Sequence, residues 1–319
     1  MHRHLLARLL AIALCLRCGA GADASDVADA GSDAASGLEL PTDPGRDPSS
    51  DALPDVAAPL PCNGHPELCD RTFDRVAFLT THNAMANAAD GFKLPNQDDD
   101  VATQLAKGVR GLMLDTHDEG GVVLLCHSVC PLGQRPLVDT LADLAAFLDA
   151  NPREVVSIIF ESYVSEEATV AAFEQAGLVA RAHPQVPGQP WPTLGAMIEA
   201  DHRLVVLSDN ATGAVPWHLP VWQHAVETHW SAKTVADFTC DPNRGDPANP
   251  LFILNHFLTN PVASPELAAE ANANPFFLER AEACQQALDH VATFVTVDFA
   301  TVGDAAAVVD ALNGVLAPR

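Results

Sequence analysis

Seven apolar runs in this chain end in a polar, titratable or metal-capable residue, and that recurrence constrains the fold more than any other feature. They are FLTTHN, ending in His82 and Asn83; GLMLDTH, with Asp115 and His117; VVLLCH, with His127; VVSIIFE, with Glu161; RLVVLSD, with Asp209; LFILNH, with Asn255 and His256; and FVTVDF, with Asp298. A strand apolar along its length and polar at its last residue belongs to a buried parallel sheet with chemistry at one rim. Amphipathic stretches separate the runs: Val101, Leu105 and Val109; Leu137 to Leu148; Ala168 to Ala176; Leu194 to Ile198; Cys284 to Leu288; and Asp304 to Leu316. Strand alternating with helix predicts an α/β protein with a parallel sheet, either open and doubly wound or closed into a barrel. No Gly-rich phosphate loop follows the first strand, which removes the main reason for the open form. The expectation is a single (β/α)8-type TIM barrel, with one further strand somewhere in Val221 to Trp230.

Three segments are expected. Residues 1–22 read as a signal peptide: Arg3 and Arg8 precede an apolar stretch too short to span a bilayer. Ala20-Gly21-Ala22 fits a peptidase site, while Cys15 or Cys18 could instead begin a lipoprotein. Residues 23–60, rich in Asp, Ala, Pro and Ser, lack the apolar surface to offset chain entropy and read as a disordered linker. Residues 61–319 hold the barrel. Export follows, either free secretion or anchoring to the cell envelope. The net charge of −25 leaves no basic patch for nucleic acid. Six cysteines remain after the leader, and export favours disulfides. Sequence proximity pairs Cys62 with Cys69 and Cys126 with Cys130, leaving Cys240 with Cys284; the competing reading is a zinc site at Cys126, His127 and Cys130.

Two histidines at different strand ends suggest a general base and a general acid, because one must accept a proton while the other donates. His82 and His127 are those candidates. Asp115, Glu161 and Asp298 would orient the imidazoles or hold a divalent cation through oxygen. Ser128 is discounted as a nucleophile, since neighbours on a strand point to opposite sides. His183, His202, His218, His224, His229 and His290 read as surface or packing residues. Asp98, Asp99 and Asp100 read as an N-terminal helix cap instead of a metal cluster.

THNA at 81–84, GVRGLMLDTHDEGG at 108–121, LLCHS at 124–128, NPREVVSIIFES at 151–162 and TVDF at 296–299 resemble the X-domain of the phosphatidylinositol-specific phospholipase C superfamily, in its exported, cysteine-containing branch. The resemblance runs from about Cys62 to the C-terminus. It implies a distorted TIM barrel, His82 as base toward the inositol 2-hydroxyl, His127 as acid toward the diacylglycerol oxygen, and Asp298 as the orienter of His82. It implies a phospholipid or headgroup phosphodiester as substrate and transient contact with a membrane surface. Two positions depart from the family. The metal-independent enzymes carry an arginine where this chain has His117, and the calcium-dependent ones a glutamate where it has Met113. The remaining ligand positions match Asn83, Asp115 and Glu161, which would hold Ca²⁺ or Mg²⁺, with His117 adding charge or a donor. Two rivals follow: a glycerophosphodiester or sphingomyelin phosphodiesterase on the same barrel, and a catalytically weak barrel that binds headgroups.

Overall fold

The computed structural model describes residues 59–315. The leader expected over 1–22 and all but the last two residues of the linker expected over 23–60 lie outside the described residues, as do 316–319. In chain order the strands are β1 (Phe78–Thr81), β2 (Gly111–Glu119), β3 (Val122–Leu125), β4 (Arg135–Pro136), β5 (Val156–Ser162), β6 (Leu204–Ser208), β7 (His218–Pro220), β8 (Ala225–Glu227), β9 (Leu251–Asn255) and β10 (Phe294–Val297). The helices are α1 (Val101–Ala106), α2 (Leu137–Ala150), α3 (Glu166–Gln175), α4 (Leu194–Glu199), α5 (Val221–His224), α6 (Pro265–Ala271), α7 (Phe276–Leu288) and α8 (Ala305–Asn313).

Eight strands pair in parallel along the order β7-β6-β5-β2-β1-β10-β9-β8. Helices join most successive strands, though none lies between β6 and β7 and only a 3-10 turn, Val235–Asp237, between β8 and β9, and this is a distorted TIM barrel. The distortion lies at one seam: among the described residues no ladder joins β7 to β8, which only the single turn of α5 connects. Pro220 closes β7 and has no N–H to donate, so the edge ends there. Six of the seven polar-ended runs are barrel strands, and the strand expected in Val221 to Trp230 is β8.

VVLLCH is the exception. Its strand, β3, turns back antiparallel on β2, pairing Glu119 with Val122 and Thr116 with Leu125. The cause is Gly120-Gly121, whose φ values of 66° and 87° suit the mirror-image turn that joins twisted hairpin strands. The apolar content of VVLLCH is that of a barrel strand; the two-glycine turn before it decides otherwise.

Alternation along the strands sorts side chains between two cores. Leu79, Leu112, Leu114, Ile158, Phe160, Val206, Phe252, Leu254, Val295 and Val297 pack with Leu105, Leu141, Leu144, Phe173, Phe277 and Val308 of the helices. Their neighbours Phe78, Ile159, Val205, Leu207, Leu251, Ile253 and Phe294 fill the barrel interior, closed at the N-terminal end by Phe73 and Trp191, whose ring centroids are 4.8 Å apart. Phe73 also lies 5.0 Å from Phe78. At Gly111 a Cβ would collide with the Thr80 side chain, so only glycine lets β1 and β2 approach here. Asp100 caps α1 as expected, its Oδ1 accepting Thr103 N–H at 2.7 Å. Cys62–Cys69, Cys126–Cys130 and Cys240–Cys284 are disulfides, which removes the thiolates a zinc site would need.

Candidate functional site

The inward set of side chains continues past the packed interior to the C-terminal rim. Two residues beyond Met113 comes Asp115, two beyond Ile159 comes Glu161, two beyond Leu207 comes Asp209, and two beyond Ala225 comes Glu227. His82 stands four beyond Phe78, and Asp298 four beyond Phe294. The strands' period of two therefore delivers polar groups from several strands to one place. His82, Asn83, Asp115, Glu161, Asp209 and Glu227 line a single small cleft of about 60 Å³, with Arg244 and Trp222.

Each candidate histidine faces a carboxylate. His82 Nδ1–H donates to Asp298 Oδ1 at 2.9 Å, and Asp298 is only 3% exposed. The His82 ring stacks on Phe257, centroids 3.7 Å apart and planes 8° apart, which fixes its tilt. His127 Nδ1 lies 3.3 Å from Asp115 Oδ2. That carboxylate holds the His127 imidazole above its ordinary pKa, against the opposing effect of burial, with Asp298 and Glu161 adding smaller pushes in the same direction. His127 follows β3, so the β2–β3 hairpin folds it back to the strand that carries its partner.

Asp115 thus stands against His127, where the sequence left it between orienting an imidazole and holding a cation. Glu161 also has a partner: the Tyr163 hydroxyl donates to Oε1, and that bond is the first cause pushing the Tyr163 phenol up to about 12. His117 does not line the cleft. Its ring stacks on Tyr163 at 4.6 Å, so it meets the site only through Tyr163 and Glu161. Its Nε2 is buried without a partner. His256, at the end of β9, packs on Phe277 at 3.7 Å and takes a hydrogen bond from Arg280. Burial first, then the Arg280 guanidinium, push it down to about 3, so it is a neutral core residue. His183, His218 and His224 are buried away from the cleft, as their sequence context suggested.

Sequence reasoning missed five contributors. Arg244 is the one Lys or Arg lining the cleft among the described residues. It holds Glu227 through Nε and, at 3.1 Å, through Nη2, and its guanidinium lies 4.3 Å over the Trp222 ring. Gly245 fixes the approach of this loop, since a Cβ there would strike the Ala225 carbonyl. Phe257 and Asn96 complete the set. None carries a periodic signal: β8 has three residues, and the others lie on loops. The one usable hint is the short run AVE at 225–227.

Asn83, Asp115 and Glu161 share the cleft and offer the hard oxygen donors that Ca²⁺ or Mg²⁺ prefers. They supply two carboxylates and an amide, and among the described residues no group of three or more His, Cys, Asp or Glu is gathered to hold a metal. Four carboxylates, from Asp115, Glu161, Asp209 and Glu227, face one arginine before any anionic substrate enters. Burial, with a further push from Glu161, raises the Asp209 carboxyl above its usual value despite a hydrogen bond from Ser162 N–H.

The family model described as PI-PLC X 1 matches residues 68–313. A PI-PLC X domain-containing protein of Arabidopsis thaliana is 35% identical over 216 residues, covering 60% of this chain and 50% of that protein. PI-PLC X domain-containing protein 1 of Arthroderma benhamiae is 28% identical over 290 residues, covering 82% and 92%. An uncharacterized secreted protein of the same fungus is 29% identical over 271 residues, covering 76% and 61%. The chain therefore spans about half to three-fifths of two of these relatives. Among solved structures, phosphatidylinositol-specific phospholipase C of Staphylococcus aureus matches at 13% identity and a TM-score of 0.54, covering 76% of this chain and 94% of that one, which shows the fold. Barrel, strand order and the match over residues 68–313 together establish that this chain belongs to the PI-PLC X family.

Proposed function

We propose that this protein is an exported phosphodiesterase that cleaves phosphatidylinositol or a related phospholipid by paired histidine catalysis. The observation that carries the reading is the pair of histidine–carboxylate couples, His82–Asp298 and His127–Asp115, at one barrel rim. Asp298 keeps the His82 proton on Nδ1, leaving Nε2 to take the proton from the headgroup hydroxyl as its oxygen attacks phosphorus. His127, kept protonated by Asp115, gives its proton to the departing diacylglycerol oxygen as the P–O bond breaks. The product is a cyclic inositol phosphate, open to hydrolysis with the two roles reversed.

Negative charge on the phosphoryl oxygens requires a positive partner. A divalent ion held by Asn83, Asp115 and Glu161 would supply Lewis-acid polarisation there. The rim also suits a lipid surface. Of the exposed large apolar side chains, Leu94, Val122, Val129, Tyr163, Trp230 and Val262 all follow C-terminal strand ends, around the cleft. The three disulfides and the relative named as secreted support export.

The test is release of diacylglycerol and inositol phosphate from labelled phosphatidylinositol vesicles. His82→Ala and His127→Ala should each lower the rate by about 10²–10⁴. Turnover of no inositol, choline or glycerol phosphodiester would overturn the enzyme reading and leave a headgroup-binding barrel.

A further inference from the structure

Asp298 receives two hydrogen bonds on one oxygen and none on the other. His82 Nδ1 and Asn96 Nδ2 each donate to Oδ1 at 2.9 Å, while Oδ2 is buried without a partner. A carboxylate turns about its last torsion in a broad, two-fold potential, so one donor alone fixes its plane poorly. Asn96 is the second donor. It is 5% exposed, and its backbone is tied on both sides: its N–H donates to Ala86 C=O at 2.7 Å, and its C=O accepts Phe299 N–H at 2.7 Å. The Asn83 amide donates to Asn96 Oδ1 at 3.5 Å, which aims the Asn96 amino group at Asp298.

The next residue does the same for the backbone. Gln97 is 2% exposed, and its Nε2 donates to the carbonyls of His82 at 2.9 Å and Val297 at 3.0 Å. Its Oε1 accepts Ala300 N–H at 3.0 Å. Two adjacent amides from the β1–α1 loop thus hold the end of β1, the end of β10 and the carboxylate between them. A loop that only connected two elements would not need two buried side-chain amides, each with its amino group directed to Asp298 or to the strand-end carbonyls beside the dyad.

We propose that Asn96 and Gln97 are the positioning residues of the His82–Asp298 pair, fixing the carboxylate plane and, through it, the tautomer and orientation of the His82 ring. Asn96 acts on the side chain and Gln97 on the two strand ends. Neither touches a substrate atom; both act through His82. The inference rests on the reading of His82 as a base, yet the tautomer exists without any substrate, so the two can fail separately.

The experiment reads the His82 ring in the ¹⁵N-labelled full chain at one fixed pH, with its signals assigned by their loss in His82→Ala. In the unaltered protein the proton should sit on Nδ1. In Asn96→Ala a substantial share should move to Nε2, and kcat on phosphatidylinositol should fall about 10- to 100-fold with KM within about twofold, the range for a lost hydrogen bond to a charged group. Asn96→Asp keeps the side-chain size while removing the donor, and decides the matter if the alanine variant fails to fold. Gln104→Ala is the control. Gln104 is also a buried amide of this region, bonded to Ala84 and Asp99 carbonyls, and its loss should leave the tautomer unchanged. An unchanged tautomer in both Asn96 variants, or an equal change in Gln104→Ala, overturns the proposal. A shifted tautomer in a protein that turns over no phosphodiester supports the positioning role and rejects the enzyme reading.

Discussion

Asp115 has two candidate duties, and Asp115→Asn separates them. Its Oδ2 lies 3.3 Å from His127 Nδ1. Two unit charges at that distance attract by about 5 kcal/mol at an effective dielectric constant of 20 and by about 1.3 kcal/mol in water. The His127 side chain is 44% exposed, so solvent screening puts the coupling toward the lower figure. Since Asp115 raises the pKa of His127, the protonated acid persists to higher pH in the native protein than it would alone. The asparagine variant should therefore shift the basic limb of the kcat profile to lower pH and lower activity on the alkaline side, leaving the acidic limb in place. The assay is headgroup release from phosphatidylinositol vesicles between pH 5 and 9. A basic limb that stays fixed would refute the coupling. If added Ca²⁺ restored the rate in full, Asp115 would be acting as a metal ligand instead. Stability should follow the same sign: the His127–Asp115 pair contributes fully below the unfolded imidazole value and is lost as pH rises through the folded one.

Arg244→Ala should raise KM with little change in kcat, because Arg244 is held by Glu227 and has no contact with either histidine–carboxylate pair; a large fall in kcat with KM constant would place it on the reacting phosphate. Chelation should lower activity more than tenfold, with recovery on adding Ca²⁺ or Mg²⁺, and the same ions should raise the melting temperature of the resting protein; no effect on either readout would remove the metal. Trp230→Ser with Val129→Ser should weaken sedimentation with vesicles about tenfold while sparing a short-chain soluble substrate, and equal loss on both substrates would argue against a docking rim. Arg280→Leu should destabilise the fold by about 3 kcal/mol in urea titration, since it strands the His256 Nδ1 and the Asn255 carbonyl in the core, whereas a change under 1 kcal/mol would mean water takes over those bonds.

The parallel sheet, the barrel class and the gathering of polar strand ends at one rim were legible in the sequence. Apolar runs with polar ends report a local fact, that a strand leaves a dry interior at its last residue, and each run carries it unaided. His82, Asn83, Asp115 and Glu161 reached one cleft for that reason. What the tertiary structure decided is partnership. Asp115 could have met a metal or a histidine along its own strand; the hairpin at Gly120-Gly121 brings His127 back to it, Nδ1 3.3 Å from Oδ2. His117 shares the inward parity of Asp115 yet falls beyond the cleft, because β2 runs on into that hairpin. Arg244, Phe257 and Asn96 come from loops, whose positions depend on what packs beneath them and leave no periodic trace. A strand writes its orientation into every second residue, while a loop takes its place only when the whole chain has closed around it.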